Sequence, residues 1–327
     1  MSKPRVFVTR RIPERGLQPI LEACEADVWQ EELPPDQATL LQKVRGVEGL
    51  LCLLTDTVDG ELMDAAGPQL KVISNHAVGY DNIDVPAATQ RGIPVGNTPG
   101  ILTDATADFT MALLLAAARR VVEADQYVRA GMWQTWGPSL LLGADFAGAT
   151  LGIIGFGRIG QAVARRAAGF GLRILFSDPH EPLQAMQATG AQRVSLEVLL
   201  AEADFVSVHT PLTEETYHLI GPEALARMKP EAVLVNTSRG PVVDPQALYT
   251  ALKTHQIGAA ALDVSEPEPL PPGSPLLELD NLILAPHIAS ASRTTRGNMA
   301  WMAAQNLLAG LQGECLPNCV NPEVYGE

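Results

Sequence analysis

The stretch that decides the fold is residues 151–178, which read LGIIGFGRIGQAVARRAAGFGLRILFSD. Its first apolar residues are typical of a buried parallel strand, and Gly155, Gly157 and Gly160 follow in G-x-G-x-x-G spacing. In this spacing the glycines permit a tight turn, the approach of a pyrophosphate to the backbone, and close packing of the following helix. A second strand ends at Asp178, where a carboxylate can accept hydrogen bonds from an adenosine ribose. The stretch therefore predicts a dinucleotide-binding β-α-β unit.

Length and charge narrow the partners that the chain can have. It has 327 residues, which fits about two domains, and 46% of them are hydrophobic. A net charge of −14 repels nucleic acid and anionic membranes, so we expect neither as a partner. An acidic substrate would need a local cation. The four cysteines form no Cys-x-x-Cys pair and the amino terminus has no secretory pattern, so we expect reduced thiols, no metal and a cytoplasmic location.

The first hundred residues alternate strand and helix patterns, which predicts a parallel sheet covered on both faces. The strands are expected at 6–9, 50–54, 72–74 and 94–95, and the helices at 15–26, 36–44, 61–66 and 85–91. This part contains no glycine phosphate turn, so it is a second and different α/β domain. A cluster of helix-breaking residues at 97–100 marks its boundary.

The remaining residues carry a longer series of strands. A helix is predicted to run throughout 103–129, and the irregular segment 131–145 follows it. Trp133 and Trp136 in that segment either cover core edges or pack on a partner subunit. A last helix at 291–311 is expected to return to the first domain, because connections rarely run far in space. Six parallel strands are predicted between these helices, at 151–154, 172–176, 205–208, 232–235, 258–262 and 282–284.

The predicted fold class is therefore α/β, with two Rossmann-like domains. Residues 1–100 and 290–327 would form a discontinuous, flavodoxin-like substrate domain. Residues 101–289 would form a doubly wound, NAD-binding domain.

Polar residues that directly follow strands are the candidates for chemistry, because ligands of open α/β sheets bind beyond the carboxyl ends of the strands. Reduction of a 2-oxo acid by hydride transfer needs a cation for the carboxylate, a proton donor, and an acid that orients the donor. Arg239 can bind a carboxylate through both ends of its planar fork. The candidate donors are His287, His209 and His76, and the candidate orienting acids are Glu266 and Glu268.

Several motifs resemble those of the D-2-hydroxyacid dehydrogenase family. They are NTSRGPVVD at 236–244, ALDVSEPEPL at 261–270, APHIAS at 285–290 and LGIIGFGRIG at 151–160. The similarity covers nearly the whole chain. TPGILTDATAD at 98–108, the WQTWGP segment and the terminal PNCVNPEVY look most like the glyoxylate/hydroxypyruvate reductase branch of that family.

The resemblance implies catalytic roles for three residues. Arg239 would bind the substrate carboxylate and carbonyl, and His287 would be the acid/base. Glu268 would hydrogen-bond the other imidazole nitrogen, because the acid of the family lies five residues after the aspartate that is Asp263 here. Asp263 itself would contact the nicotinamide carboxamide.

The resemblance also implies contacts to substrate, cofactor and a second subunit. The backbone amides of Val78 and Gly79 would hold the substrate carboxylate. Trp136 resembles a tryptophan that enters the active site of the neighbouring subunit, which implies a homodimer. Cofactor contacts are implied for Thr103, Gly155, Gly157, Arg158, Ile159, Gly160, Asp178, Thr210, Pro211, Thr237, Ser238, Asp263 and Ala289.

The residues after the second strand of the dinucleotide domain bear on the choice of cofactor. Residues 177–181 read SDPHE, with acids and no arginine. Asp178 would repel a 2′-phosphate, so we predict a preference for NADH over NADPH. The function that the resemblance implies is reversible, NADH-dependent reduction of glyoxylate or hydroxypyruvate to the D-2-hydroxy acid. The alternatives are a D-3-phosphoglycerate or other D-2-hydroxyacid dehydrogenase and, in a different class, an NAD-sensing transcriptional corepressor.

Overall fold

The computed structural model describes residues 3–326 and divides the chain into two compact units. The first unit contains the residues up to 102 and those from 291 onward, and the second contains residues 103–290. The domain boundaries predicted from the sequence lie after residue 100 and before residue 290. No helix within residues 3–326 is long and apolar enough to cross a bilayer.

The helices and strands alternate along most of the chain. The strands are β1 (Arg5–Val8), β2 (Glu25–Val28), β3 (Gly49–Cys52), β4 (Val72–Asn75), β5 (Val95–Gly96), β6 (Thr150–Ile154), β7 (Arg173–Ser177), β8 (Gln192–Arg193), β9 (Phe205–Val208), β10 (Val233–Asn236), β11 (Ala259–Leu262) and β12 (Leu282–Leu284). The helices are α1 (Glu14–Ala23), α2 (Gln37–Lys43), α3 (Gly60–Ala66), α4 (Val85–Gln90), α5 (Thr103–Ala118), α6 (Val121–Arg129), α7 (Arg158–Ala168), α8 (Leu183–Thr189), α9 (Leu196–Glu202), α10 (Pro222–Arg227), α11 (Pro245–Lys253) and α12 (Arg293–Gln312).

The first unit is built on a parallel sheet with the strand order β2-β1-β3-β4-β5, which is the flavodoxin-like order. Alternate residues of its strands enter separate apolar clusters, so Phe7 lies in one cluster and Val6 in another. Helix α12 packs against α1, β3 and β4. The two helices cross so closely that a Cβ on Gly16 would lie 2.2 Å from the carbonyl oxygen of Ala300.

The second unit is built on a parallel sheet with the order β12-β11-β10-β9-β6-β7-β8. The strand order reverses between β6 and β9, which are hydrogen-bonded neighbours in the sheet. In doubly wound sheets ligands bind beyond the carboxyl ends of the strands at such a reversal. The predicted α/β class with two Rossmann-like sheets is confirmed.

Two short strands were missed in the sequence. The predicted helix over 15–26 ends at Ala23, and Glu25–Val28 form the edge strand β2, whose residues are exposed or only half-buried. The second sheet has seven strands rather than the predicted six, because β8 adds two exposed polar residues at its edge. Edge strands of this kind lack the apolar run that marks a buried strand.

The predicted single helix over 103–129 is wrong. Helix α5 ends at Ala118, and Arg120 adopts a left-handed conformation with φ of +53° before α6 begins. The carbonyl oxygen of Ala118 accepts a hydrogen bond from the amide of Ala144 at 2.9 Å, so a distant loop replaces the next helical turn. Helix α5 buries half of its residues, whereas α6 buries none, which explains why the chain can bend there.

Candidate active site

The glycine turn after β6 has the geometry that its spacing predicts. Gly155 has a φ of +88°, and a Cβ there would lie 2.7 Å from the carbonyl carbon of His209. A Cβ on Gly160 would lie 2.2 Å from the carbonyl oxygen of Gly155, so the first turn of α7 packs directly on the loop. A Cβ on Gly157 would meet no atom of the described chain within 4 Å. Helix α7 has no side-chain cap, so a phosphate can approach both the open glycine and the helix N–H groups.

A cavity of about 380 Å³ lies beside this turn in the second unit, and Gly155, Asp178 and Thr210 are among its lining residues. The backbone fixes the Asp178 carboxylate in place. Its Oδ2 accepts a hydrogen bond from the amide of Phe156 at 2.6 Å, and its Oδ1 accepts one from the amide of His180 at 2.8 Å. The cavity has the size of a small-molecule site and can take the adenosine part of a dinucleotide.

Arg193 also lines this cavity, although it was not among the residues predicted for the site. Its guanidinium donates to the carbonyl oxygens of Asp178 at 2.9 Å and Pro179 at 3.1 Å, and it forms an ion pair with Glu181 at 2.6 Å. The segment 177–181 contains no arginine, but β8 brings one to it from later in the chain. No periodic pattern marks this arginine, so only the pairing of β7 with β8 reveals it.

A histidine that is hydrogen-bonded to a carboxylate follows β12. The Glu268 Oε1 lies 2.5 Å from Nδ1 of His287. Burial alone would raise the pKa of the Glu268 carboxyl, but the hydrogen bond and charge of His287, helped by the charge of Arg239, hold that pKa below its ordinary value. An ionised carboxylate can only accept, so Nδ1 carries a hydrogen and Nε2 is the nitrogen at which the proton is gained or lost.

Asn236, the last residue of β10, shapes the turn that carries Arg239. The Asn236 side chain is fully buried; its Oδ1 accepts from the amide and the hydroxyl of Ser238, and its Nδ2 donates to the carbonyl oxygen of Arg239 at 2.8 Å. The Arg239 guanidinium is half-buried and close enough to lower the pKa of Glu268. The structure thus brings the predicted arginine, glutamate and histidine together in the second unit.

The buried Asp263 holds the segment that carries His287. Its two carboxylate oxygens each accept a backbone N–H at 2.8 Å, from Ile288 and from Ala289, and its carbonyl oxygen accepts the His287 amide at 2.8 Å. His287 has a φ of +55°, a conformation rare for any residue but glycine. Burial raises the pKa of Asp263. Asp263 therefore supports the backbone at position 287, a contact that its predicted role at the nicotinamide did not include.

The other two candidate donors are structural histidines. His209 places Nε2 at 2.7 Å from the Ser207 hydroxyl, and burial lowers its pKa to about 3. His76 is buried, and burial together with the positive charge of Arg296 lowers its pKa to about 4. The lowered pKa of each imidazole favours its neutral form near pH 7, so neither is suited to be the general acid there.

The remaining predicted residues lie in several places. Thr103 begins α5, Arg158 and Ile159 begin α7, and Thr210 and Pro211 follow β9. Thr237 is nearly buried, with its hydroxyl 2.8 Å from that of Thr110 in α5. Trp136 is 77% exposed and Trp133 is 59% exposed, so in this single chain neither covers a core edge. Val78 and Gly79 belong to the first unit. Among residues 3–326 no three histidine, cysteine or acidic side chains are grouped to hold a metal.

Comparison with known proteins gives concordant matches. The family model "D-isomer specific 2-hydroxyacid dehydrogenase, NAD binding domain" matches residues 111–289. A protein of Korarchaeum cryptofilum named glyoxylate reductase is 58% identical over 323 residues, which cover 98% of this chain and 97% of the relative.

Solved structures agree with these matches. The TT0316 protein of Thermus thermophilus superposes with a TM-score of 0.91 at 50% identity, covering 97% of this chain and 99% of the other. An NADPH-dependent glyoxylate/hydroxypyruvate reductase of Sinorhizobium meliloti, solved with NADP and malonate, superposes with a TM-score of 0.83 at 35% identity, covering 98% of this chain and 97% of the other.

Proposed function

We propose that this chain, which belongs to the D-isomer specific 2-hydroxyacid dehydrogenase family, reduces glyoxylate and hydroxypyruvate to their D-2-hydroxy acids with NADH, reversibly. Membership makes it an NAD(P)-dependent oxidoreductase that acts on small 2-oxo or 2-hydroxy acids, in line with the resemblance of its motifs. The choice of glyoxylate within that class is supported by the name of the Korarchaeum relative. The pairing of Glu268 with His287 beside Arg239 is the observation that carries the chemistry.

Each of these three residues has one task in the proposed reduction. The nicotinamide supplies the hydride. Arg239 binds the carboxylate of the 2-oxo acid through its fork, and His287 donates the proton on Nε2 to the carbonyl oxygen. Glu268 accepts the Nδ1 hydrogen, which keeps the ring in the orientation that presents Nε2 and favours the protonated imidazole. In the reverse direction the same nitrogen takes the hydroxyl proton.

The proposed cofactor contacts are supported by the open glycine turn and the cavity beside it. We assign the phosphates to the turn and the first residues of α7, and the ribose hydroxyls to Asp178. The residues proposed to line the rest of the cofactor are Thr103, Thr210, Pro211, Thr237, Ser238, Asp263 and Ala289. Under this assignment the unit with residues 103–290 is the NAD-binding domain and the other unit is the substrate domain.

NADH is proposed over NADPH because the charges around Asp178 disfavour a 2′-phosphate. Asp178 holds a fixed carboxylate at the cavity, and the one arginine that lines the cavity within the described chain is ion-paired to Glu181. The Sinorhizobium relative is named NADPH-dependent, so the preference within the family varies and must be measured for this chain.

A homodimer is proposed from the exposed tryptophans. Trp136, Trp133, Met132 and Leu142 lie on the irregular segment 131–145, and each of these four side chains is more than half exposed. Exposed apolar groups at this density mark an interaction surface. Light scattering of the purified protein should give twice the chain mass, and Trp136→Ala should shift the mass toward the monomer. Wild-type protein with the mass of one chain would contradict the proposed dimer but would leave the proposed reaction unaffected.

A panel of 2-oxo acids tests the proposed reaction. The purified protein is mixed with NADH or NADPH and with glyoxylate, hydroxypyruvate, pyruvate or phosphohydroxypyruvate, and the loss of the reduced cofactor is followed. We expect the highest kcat/KM for glyoxylate or hydroxypyruvate with NADH. A preference for phosphohydroxypyruvate would indicate the phosphoglycerate alternative, and turnover of none of the four acids would refute the proposal.

A further inference from the structure

Three consecutive carbonyl oxygens after β4 are all hydrogen-bonded within the first unit. The carbonyl of Ala77 accepts from the amide of Thr98 at 2.9 Å. The next two accept from asparagine side chains: Asn97 Nδ2 donates to Val78 at 2.7 Å, and Asn75 Nδ2 donates to Gly79 at 2.9 Å. Carbonyls of a loop commonly face water, so a run of three with protein donors indicates a loop whose peptide planes are fixed.

Fixing these carbonyls also fixes the direction of the neighbouring amides. In a trans peptide the C=O of one residue and the N–H of the next point in opposite directions. The amides of Val78, Gly79 and Tyr80 therefore point away from the three donors, and no hydrogen bond from them to another described residue is found. Successive N–H groups that face one side form a concave site for an anion.

The two asparagines are themselves held by further contacts. Asn75 is fully buried, and its Nδ2 also lies 3.1 Å from Oδ1 of Asn82. The Asn82 Nδ2 in turn donates to the carbonyl oxygens of Leu53 and Asp56. The carbonyl oxygen of Asn97 accepts from Asn306 of α12 at 2.9 Å. Because these contacts hold the Asn75 side chain and the Asn97 backbone, the two residues can impose their geometry on the loop rather than follow it.

We infer that Asn97 and Asn75 are positioning residues: they hold the peptides that follow Val78 and Gly79, and so keep the loop in the conformation that aims the amides of Val78 and Gly79 at the carboxylate of the substrate. This inference rests on the proposed function and on the role that the sequence resemblance implies for those two amides, which is to hold the substrate carboxylate. It adds the physical cause. Asn97 holds the carbonyl of the peptide whose N–H belongs to Gly79, and Asn75 holds the carbonyl of the next peptide, whose N–H belongs to Tyr80. Without the asparagines a peptide of the loop can turn over, and a carbonyl oxygen would then face the anion.

Variants that replace the donor of each asparagine by an acceptor test this inference. In Asn97→Asp and Asn75→Asp the side chain keeps its shape but presents an oxygen to the carbonyl. We expect the KM for glyoxylate to rise ~5–30-fold with kcat changed less than ~3-fold, which is the size of one lost hydrogen bond. The Kd of oxalate, a non-reacting carboxylate probe measured by calorimetry, should rise by the same factor, and the Kd of NADH should not change.

Asn321→Asp is the matched control. Asn321 is a fully buried asparagine of the same unit whose Nδ2 donates to the carbonyl oxygen of Ile93 at 3.0 Å, away from the 77–80 loop. It should lose thermal stability like the other two but keep the wild-type oxalate Kd. If either Asp variant does not fold, Asn97→Ala and Asn75→Ala replace them, since they remove the donor without adding a charge.

The outcomes separate this inference from the proposed function. Wild-type protein that binds oxalate but reduces no 2-oxo acid would refute the function and leave the positioning role intact. Folded variants with a wild-type oxalate Kd, variants that lose kcat at constant KM, or wild-type protein that does not bind oxalate would each overturn the positioning role. An equal loss of oxalate affinity in Asn321→Asp would show a general effect of stability and overturn it as well.

Discussion

Replacing Glu268 by glutamine is the sharpest test of the acid/base pair. The substitution keeps the size of the side chain and leaves one oxygen that can accept from Nδ1 of His287, but it removes the negative charge beside the ring. Because the pKa of Glu268 lies below its ordinary value of 4.5, the wild-type carboxylate is ionised throughout the range in which a histidine titrates.

The expected magnitude follows from the geometry of the pair. A hydrogen bond to a charged group contributes ~1.5–3 kcal/mol, and each 1.36 kcal/mol corresponds to about tenfold. The side chains of His287 and Glu268 are 25% and 34% exposed, so solvent screening favours the lower end. We therefore expect kcat/KM for glyoxylate reduction to fall ~10-fold near neutral pH.

The dependence of the rate on pH shows in which direction the charge of Glu268 acts. Reduction needs the protonated imidazole, and the charge of Glu268 stabilises that form. Without the charge, the alkaline limb of the reduction profile should move to lower pH. Oxidation of the D-2-hydroxy acid needs the neutral imidazole, so its acid limb should move down by the same amount. Stopped-flow or steady-state rates in both directions, measured from about pH 5 to 10, provide the two limbs.

Glu266→Gln is the control, because Glu266 lies two positions earlier and also pairs with a histidine, His218, at 2.6 Å. Its removal should leave both limbs where they are. The reasoning is refuted if Glu268→Gln leaves both limbs unmoved, or if Glu266→Gln moves them equally.

Three further substitutions test other parts of the site. Asp178→Asn should raise the ratio of kcat/KM for NADPH over NADH at least ~10-fold, since a like charge near a phosphate costs ~1–4 kcal/mol; an unchanged ratio would exclude the ribose role. Arg239→Lys should lower kcat/KM for glyoxylate by ~10²-fold or more with the NADH Kd unchanged, because lysine lacks the planar fork. Gly240→Ala should lower the free energy of unfolding by ~1–3 kcal/mol in denaturant titrations, because its Cβ would lie 1.9 Å from the Ser265 carbonyl oxygen.

The buried strands were predictable because burial on both faces of a parallel sheet demands an unbroken apolar run. The strand expected at 205–208 has those bounds in the structure, and all four of its residues are buried. The glycine turn was predictable for a related reason: a Cβ at Gly155 or Gly160 would collide with backbone atoms, so the residue type itself reports the geometry. Where packing forbids every alternative residue, a single sequence carries enough information.

Features that depend on one distant contact were not predictable. Nothing in the sequence near Arg193 indicates that β8 brings it to the carbonyl oxygens after β7. The bend after Ala118 depends on the amide of Ala144, and the residues at 119–120 are good helix formers. The asparagines at 75 and 97 likewise have ordinary roles at strand ends and turns, and only their partners reveal that they fix a loop.

Residue order after β11 leaves open whether Glu266 or Glu268 orients the proposed catalytic histidine, and the contacts of the two acids distinguish them. Both acids follow β11 and both find a histidine. Glu266 accepts from His218 Nε2 at 2.6 Å and from the Tyr217 hydroxyl at 3.2 Å. His218 also donates its amide to the carbonyl oxygen of Pro241 at 2.8 Å, so this pair ties the loop after β11 to the turn that follows Arg239. With Glu266 bound in this way, Glu268 is the acid that meets His287. Glu266 anchors the loop that supplies the Glu268 carboxylate.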